Sequence, residues 1–159
     1  MAKAQDMNRQ FAVLFITAFA LLLASLSAQA QQFEDIGDYH VHYSAMNTRM
    51  LPAEVARAYG ITRSGTRAMI NITVLRAADG DGAMSEPVRA TVNASAINLT
   101  GQPRDIELQE ITEEDAIYYI GTFRIANEET LTFDISVRPE GSSQPPSEFS
   151  FQQRFYVEE

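Results

Sequence analysis

The sequence predicts an all-β fold: an antiparallel two-sheet sandwich of immunoglobulin-like architecture, with about seven strands and one short helix near the N-terminal strand. Three observations carry this. Apolar residues recur at period two through most of residues 39–157, which is the strand periodicity. Gly, Pro, Asn and Asp cluster between the alternating runs. Each run also keeps one polar face, as antiparallel sheets do when one side is packed and the other wet. Short strands at this spacing suit a sandwich, although the Cys and Trp hallmarks of true immunoglobulin domains are missing.

Taken in order, Tyr39, Val41 and Tyr43 share one face of a first strand, with His40, His42 and Ser44 on the other. Ala68, Ile70, Ile72 and Val74 form the apolar face of the second. Val88, Ala90, Val92 and Ala94 form that of the third, where Ile97 and Leu99 change parity, so a β-bulge near Ala96 is expected. Ile106 and Leu108 mark a fourth strand, and Ile117, Tyr119, Phe123 and Ile125 a fifth. Leu131, Phe133, Ile135 and Val137 give a sixth, and Phe149, Phe151, Phe155 and Val157 a seventh. Turns are expected at Asp79–Gly82, Gly101–Pro103, Asn127–Glu129 and 139–147. The Asn-x-Ser/Thr sequons at Asn71, Asn93 and Asn98 read as polar strand positions.

Pro52–Gly60 breaks the pattern. Pro at its start, Arg57 in its last turn and Gly just past its end describe a short helix. Leu51, Val55 and Tyr59 make an apolar stripe at four-residue spacing. Two turns of helix do not stand alone in water, so the stripe is expected to lie on the sandwich, capping an open end or edge of its core.

Residues 1–30 read as a secretory signal. Lys3 and Arg9 precede an apolar stretch from Phe11, and Ala28-Gln29-Ala30 is a small-x-small cleavage site. Phe11 to Leu26 is shorter than the roughly 20 residues of a membrane helix. Cleavage after Ala30 would leave 31–159 as one sandwich domain in the periplasm, with no membrane span. The chain has no Cys, which removes disulfide scaffolds, thiol catalysis and cysteine metal sites. A formal charge of -9 disfavours nucleic acid as a partner.

The runs Tyr39-His40-Val41-His42-Tyr43-Ser44, Leu51 to Ile61, Arg63-Ser64, Asn71 to Leu75, Asn98 to Gln102, Glu110-Ile111 and Ala116 to Tyr119 resemble a bacterial family, domain of unknown function 4426. The resemblance spans about residues 33–157. It implies an exported bacterial protein and supplies no activity.

Several constellations offer chemistry. His40 and His42, at i and i+2, project from one strand face, and Met46 and Met50 follow. Imidazole with thioether is a copper donor set. Arg57, Arg63 and Arg67, with His42 and Tyr59, are candidates to frame a site for an anionic group or a partner's carboxylate. Asp79-Gly80-Asp81-Gly82 with Glu86 has part of a calcium loop but lacks its further ligand positions, so a hairpin connection is the simpler reading. Glu113-Glu114-Asp115 reads as a solvated turn. Ser44 and Ser64 with either His supply the residue types of a hydrolase, without a nucleophile elbow or phosphate-cradling loop around them.

The sequence therefore points to a non-catalytic binding or interaction module of the cell envelope, needing no cofactor. Its partner would be an envelope protein or a small ligand, and its function would sit in residues 39–67. A copper-binding protein and a small hydrolase are the alternatives.

Overall fold

The computed structural model describes residues 32–78 and 85–157. The segment expected to be a signal, its expected cleavage site and the Asp79–Gly82 loop lie outside the described residues. Ten strands among the described residues form two antiparallel sheets, so the two-sheet fold stands and the strand count rises from seven.

In the larger sheet β1 is Gln32–Ile36, β2 Tyr39–Asn47, β3 Arg67–Arg76, β4 Glu86–Pro87, β7 Gln109–Thr112 and β8 Ile117–Arg124. In the smaller, β5 is Ala90–Asn98, β6 Pro103–Ile106, β9 Glu129–Pro139 and β10 Ser147–Phe155. The larger sheet has the order β1-β2-β3-β8-β7, with β4 also pairing β3, and the smaller has the order β10-β9-β5-β6. The α-helix between β2 and β3, α1, is Ala53–Ala58, with Pro52 as its N-cap residue. Gly60 just beyond it has φ +66°, a left-handed conformation that suits glycine at a helix end.

The core lies between the sheets and is built from the faces that the alternation marked. Val41, Ile70, Ile72 and Val74 meet Leu131, Phe133, Ile135 and Val137, all buried. Aromatic rings thread this seam. Phe133 stacks on Phe151 with centroids 4.8 Å apart, and Phe155 stands edge-on to Phe123 at 5.7 Å. Tyr43 closes one side against Phe149 and Phe151, at 4.9 and 4.5 Å.

Three expectations change. β5 pairs β9 in unbroken register from Ala90 opposite Pro139 to Asn98 opposite Leu131, so there is no bulge near Ala96. Ile97 and Leu99 instead face outward, 37% and 79% exposed. Ile106 and Leu108 are not one strand: β6 ends at Ile106 in the small sheet, and the chain crosses to β7 in the large one. Gly121 permits that crossing, because a Cβ there would run into Ile106 Cγ2 and stand 2.9 Å from the Glu107 carbonyl oxygen.

The third change concerns α1. Met69 and Ile120 point away from the sandwich interior, yet they are only 5% and 8% exposed. The 48–66 excursion is fastened to the large sheet at Thr48, at Arg67 and, through Tyr59, at the β7–β8 turn. The helix thus lies along the outer face of the large sheet rather than plugging an end. Its buried residue is Ala56, while Leu51, Val55 and Tyr59 stay half-buried.

Candidate binding surface

The excursion is anchored by two buried polar residues at the end of β2. Asn47 caps the 3-10 turn Thr48–Met50 by accepting the Arg49 N–H at 2.9 Å. Its amide donates to the Gly65 carbonyl at 2.8 Å. Thr48, fully buried, accepts the Ser64 N–H at 3.0 Å. Its single hydroxyl proton has three carbonyls in reach, those of Thr62, Ser64 and Arg67, at 3.0 to 3.3 Å. Buried polar groups must be paired, and here each side chain binds the return leg of the same excursion.

The predicted arginines and tyrosine serve this framework. Arg63 donates to the Arg49 carbonyl at 2.9 Å, lacing the two legs together. Arg67, at the start of β3, reaches the Thr122 hydroxyl on the neighbouring β8 at 2.7 Å. The Tyr59 hydroxyl donates to Glu113, and that bond, with burial and the carboxylate's charge, pushes its pKa above the usual tyrosine value. Arg57 is exposed in the last turn of α1, where a cation complements the helix dipole.

His42 does not join them. It lies opposite Thr73 on β3, six residues along the strand from Arg67, or about 20 Å. Its neighbours come from β1, which the sequence pattern did not reveal. Phe33 faces His42 directly across the hairpin, with ring centroids 5.7 Å apart. The same ring stands edge-on to His40 at 6.0 Å. Asp35, opposite His40, hydrogen-bonds its Nδ1. Phe33 is 50% exposed, so this group faces solvent.

The copper set divides in the same way. Met46 shares the outer face of β2 but lies four residues from His42, about 13 Å, and opposite Met69. Met50 is 69% exposed on the 3-10 turn beyond the strand. His40 and His42 are thus brought together on one face, and the two methionines are not beside them. Among the described residues no cluster of three or more His, Cys, Asp or Glu is arranged to hold a metal. Of the serines, Ser44 lies opposite Asn71, and the Ser64 hydroxyl is bonded to that of Thr66.

On the opposite side of the molecule, an open groove of about 820 Å³ crosses the small sheet. It is lined by Asp105, Glu107, Asp134 and Glu148, with small polar and apolar residues between them. None of the candidate binding or metal-ligating residues read from the sequence lies there. Among the described residues no helix is long and apolar enough to cross a membrane.

A two-sheet antiparallel sandwich with an N-terminal hairpin and a strapped helix on one outer face is a class of protein with solved relatives. The chain belongs to the family described as Domain of unknown function (DUF4426), which matches residues 33–158. A crystal structure of a DUF4426 family protein from Pseudomonas aeruginosa PAO1 is 36% identical and superposes with a TM-score of 0.68. It covers 83% of this chain and 99% of its own. FetP from uropathogenic Escherichia coli, recombinantly expressed in the periplasm, shares the fold with a TM-score of 0.55 at 11% identity, covering 82% of this chain and 96% of FetP. A copper-bound FetP variant gives 0.54 at 11% identity, covering 79% and 95%. At that identity the likeness is one of fold alone. No curated protein matches the chain.

Proposed function

We propose that the protein is a non-catalytic binding module of the bacterial cell envelope, and that its contact surface is the outer face of the β1–β2 hairpin and the adjoining α1 excursion. The observation that carries this is the half-exposed Phe33 ring resting on both histidine rings. Exposed aromatic residues with polar neighbours are typical anchors of protein–protein contacts. Arg57, exposed on α1, extends the surface with a cation. The signal-like pattern of residues 1–30 supports an envelope location, as does the recombinant expression of FetP in the periplasm.

A photo-crosslinking residue in place of Phe33 or Arg57, in living cells, should give a discrete adduct. The same residue in place of Thr132, on the small sheet, should not. Equal adducts at all three positions, or none at any, would overturn the surface. Cell fractionation with intact mass checks the location: mature protein beginning at Gln31 is expected outside the inner membrane.

Copper binding is a second reading. It is favoured by the His40–His42 pair on one strand face and by the copper-bound state of a FetP variant that shares the fold.

A further inference from the structure

We propose that the β1–β2 hairpin is a surface site for an oxidised, borderline transition-metal dication, Zn(II) or Cu(II), held by His40 Nε2 and His42, with Asp35 as the residue that positions His40. The proposal rests on the second reading above, narrows its ligands to the two histidines and its copper to Cu(II), and adds Zn(II) as a metal of the same ligand preference.

The argument starts from register. His40 and His42 alternate onto one face of β2, side by side at the spacing of two strand residues. β1 pairs with β2 so that Asp35 lies opposite His40 and Phe33 opposite His42. The Asp35 carboxylate accepts a hydrogen bond from His40 Nδ1. A neutral imidazole has one N–H, so holding it on Nδ1 leaves the Nε2 lone pair free for a metal. Carboxylate–histidine pairs of this kind fix ligand orientation and raise ligand basicity. Asp35 is therefore a positioning residue and not a ligand.

Phe33 covers the same face. Its ring packs against both imidazoles and leaves each less room to turn. Two imidazoles and a nearby carboxylate, without sulfur, suit Zn(II) or Cu(II), whereas Cu(I) favours thioether donors. The chain supplies two protein ligands, so the remaining positions belong to water or to a ligand brought by a partner. That open coordination links the metal to the proposed contact surface.

The test is titration of the purified protein with Zn(II), Cu(II) and Cu(I) alone, with the thermal midpoint recorded with and without metal. Wild type should bind Zn(II) and Cu(II) one to one, with a raised midpoint. His40→Ala and His42→Ala should each abolish that step while circular dichroism stays unchanged. Asp35→Asn should weaken it about 10-fold. Met46→Leu with Met50→Leu should leave it intact. Zn(II) or Cu(II) binding that survives either histidine change overturns the proposal, as does loss of binding in the methionine variant. Unchanged affinity in Asp35→Asn overturns the positioning role. Cu(I) binding that needs the methionines, with neither dication bound, would sink this site and keep the broader copper reading. No binding of any of the three ions would sink both.

Discussion

The hydroxyl of Tyr119, on β8 of the large sheet, accepts the backbone N–H of Ala90, on β5 of the small sheet, at 2.7 Å. One side chain thus satisfies a main-chain donor on the opposite layer, close to the Arg89–Glu110 ion pair at 2.8 Å. Tyr119 is 4% exposed, so removing its hydroxyl leaves the Ala90 N–H without its partner. Tyr119→Phe should cost about 1–3 kcal/mol in urea unfolding. Burial raises the Tyr119 pKa above the usual 10.0, assisted by Glu110 and opposed by the Ala90 bond and by Arg89. A raised pKa means that its contribution is complete below about pH 10 and is lost as pH climbs through the folded value. The alkaline fall in stability should therefore be shallower in Tyr119→Phe, read from urea midpoints between about pH 8 and 11.

Arg104 makes a second clasp. Its guanidinium donates to the Arg124 carbonyl on β8 at 2.6 Å and pairs with Glu129 on β9. Burial opposes ionisation of Glu129, but the Ala126 N–H, Arg104 and Asn98 outweigh it and hold the carboxyl below the usual 4.5. With a depressed pKa, the stabilisation is present above about pH 4.5 and disappears as pH falls through the folded value. Glu129→Gln should destabilise by about 1–3 kcal/mol near neutral pH, with the difference from wild type shrinking toward about pH 3. A constant difference across that range would contradict the assignment.

Thr48 tests the anchoring of the excursion. Thr48→Val keeps the shape and removes the hydroxyl, leaving the Ser64 N–H without its acceptor. A loss of about 1–3 kcal/mol is expected, and Thr48→Ser should restore most of it. Hydrogen exchange at 53–61 should quicken in the valine variant and not in the serine one.

Gly121 tests the crossing between sheets. A methyl added there would meet the Ile106 side chain and the Glu107 backbone together, so a shift of either one alone would not relieve the clash. Gly121→Ala should cost about 1–3 kcal/mol by overpacking. Coupling it with Ile106→Ala, which removes the Cγ2 that the new methyl would meet, should recover part of that loss in a double-mutant cycle.

What the sequence reveals depends on whether a residue's surroundings are local. Leu131 to Val137 was legible because both of its faces are unambiguous, one buried and one wet. β1 was not, since its pattern is inverted: Phe33 faces outward, and Glu34 lies on the core side opposite Val41. An inward charge on an edge strand discourages further strands from adding there, and it hides the strand from a hydrophobic pattern. His40 and His42 were visible by spacing alone. Asp35 as the partner of His40, and Glu113 as that of Tyr59, depend on register and on the path of the excursion, which no local pattern encodes. Thr48 reads as an ordinary polar residue until three carbonyls converge on it.

Asn47 bears on the order in which the molecule can be assembled. Besides Gly65, its amide meets the carbonyl of Tyr156 at 3.4 Å, 109 positions further on. The aromatic seam has the same dependence, since Phe151 and Phe155 complete the packing of Phe133 and Phe123. A chain emerging from the ribosome can close the β1–β2 hairpin early, yet it lacks the far partner of β2 and the lid of the aromatic seam until residues 151–156 arrive. Native closure must then wait for residues 147–156, and a chain stopped short of Ser147 would remain an open sandwich with Phe123 and Phe133 lacking their partner rings on β10.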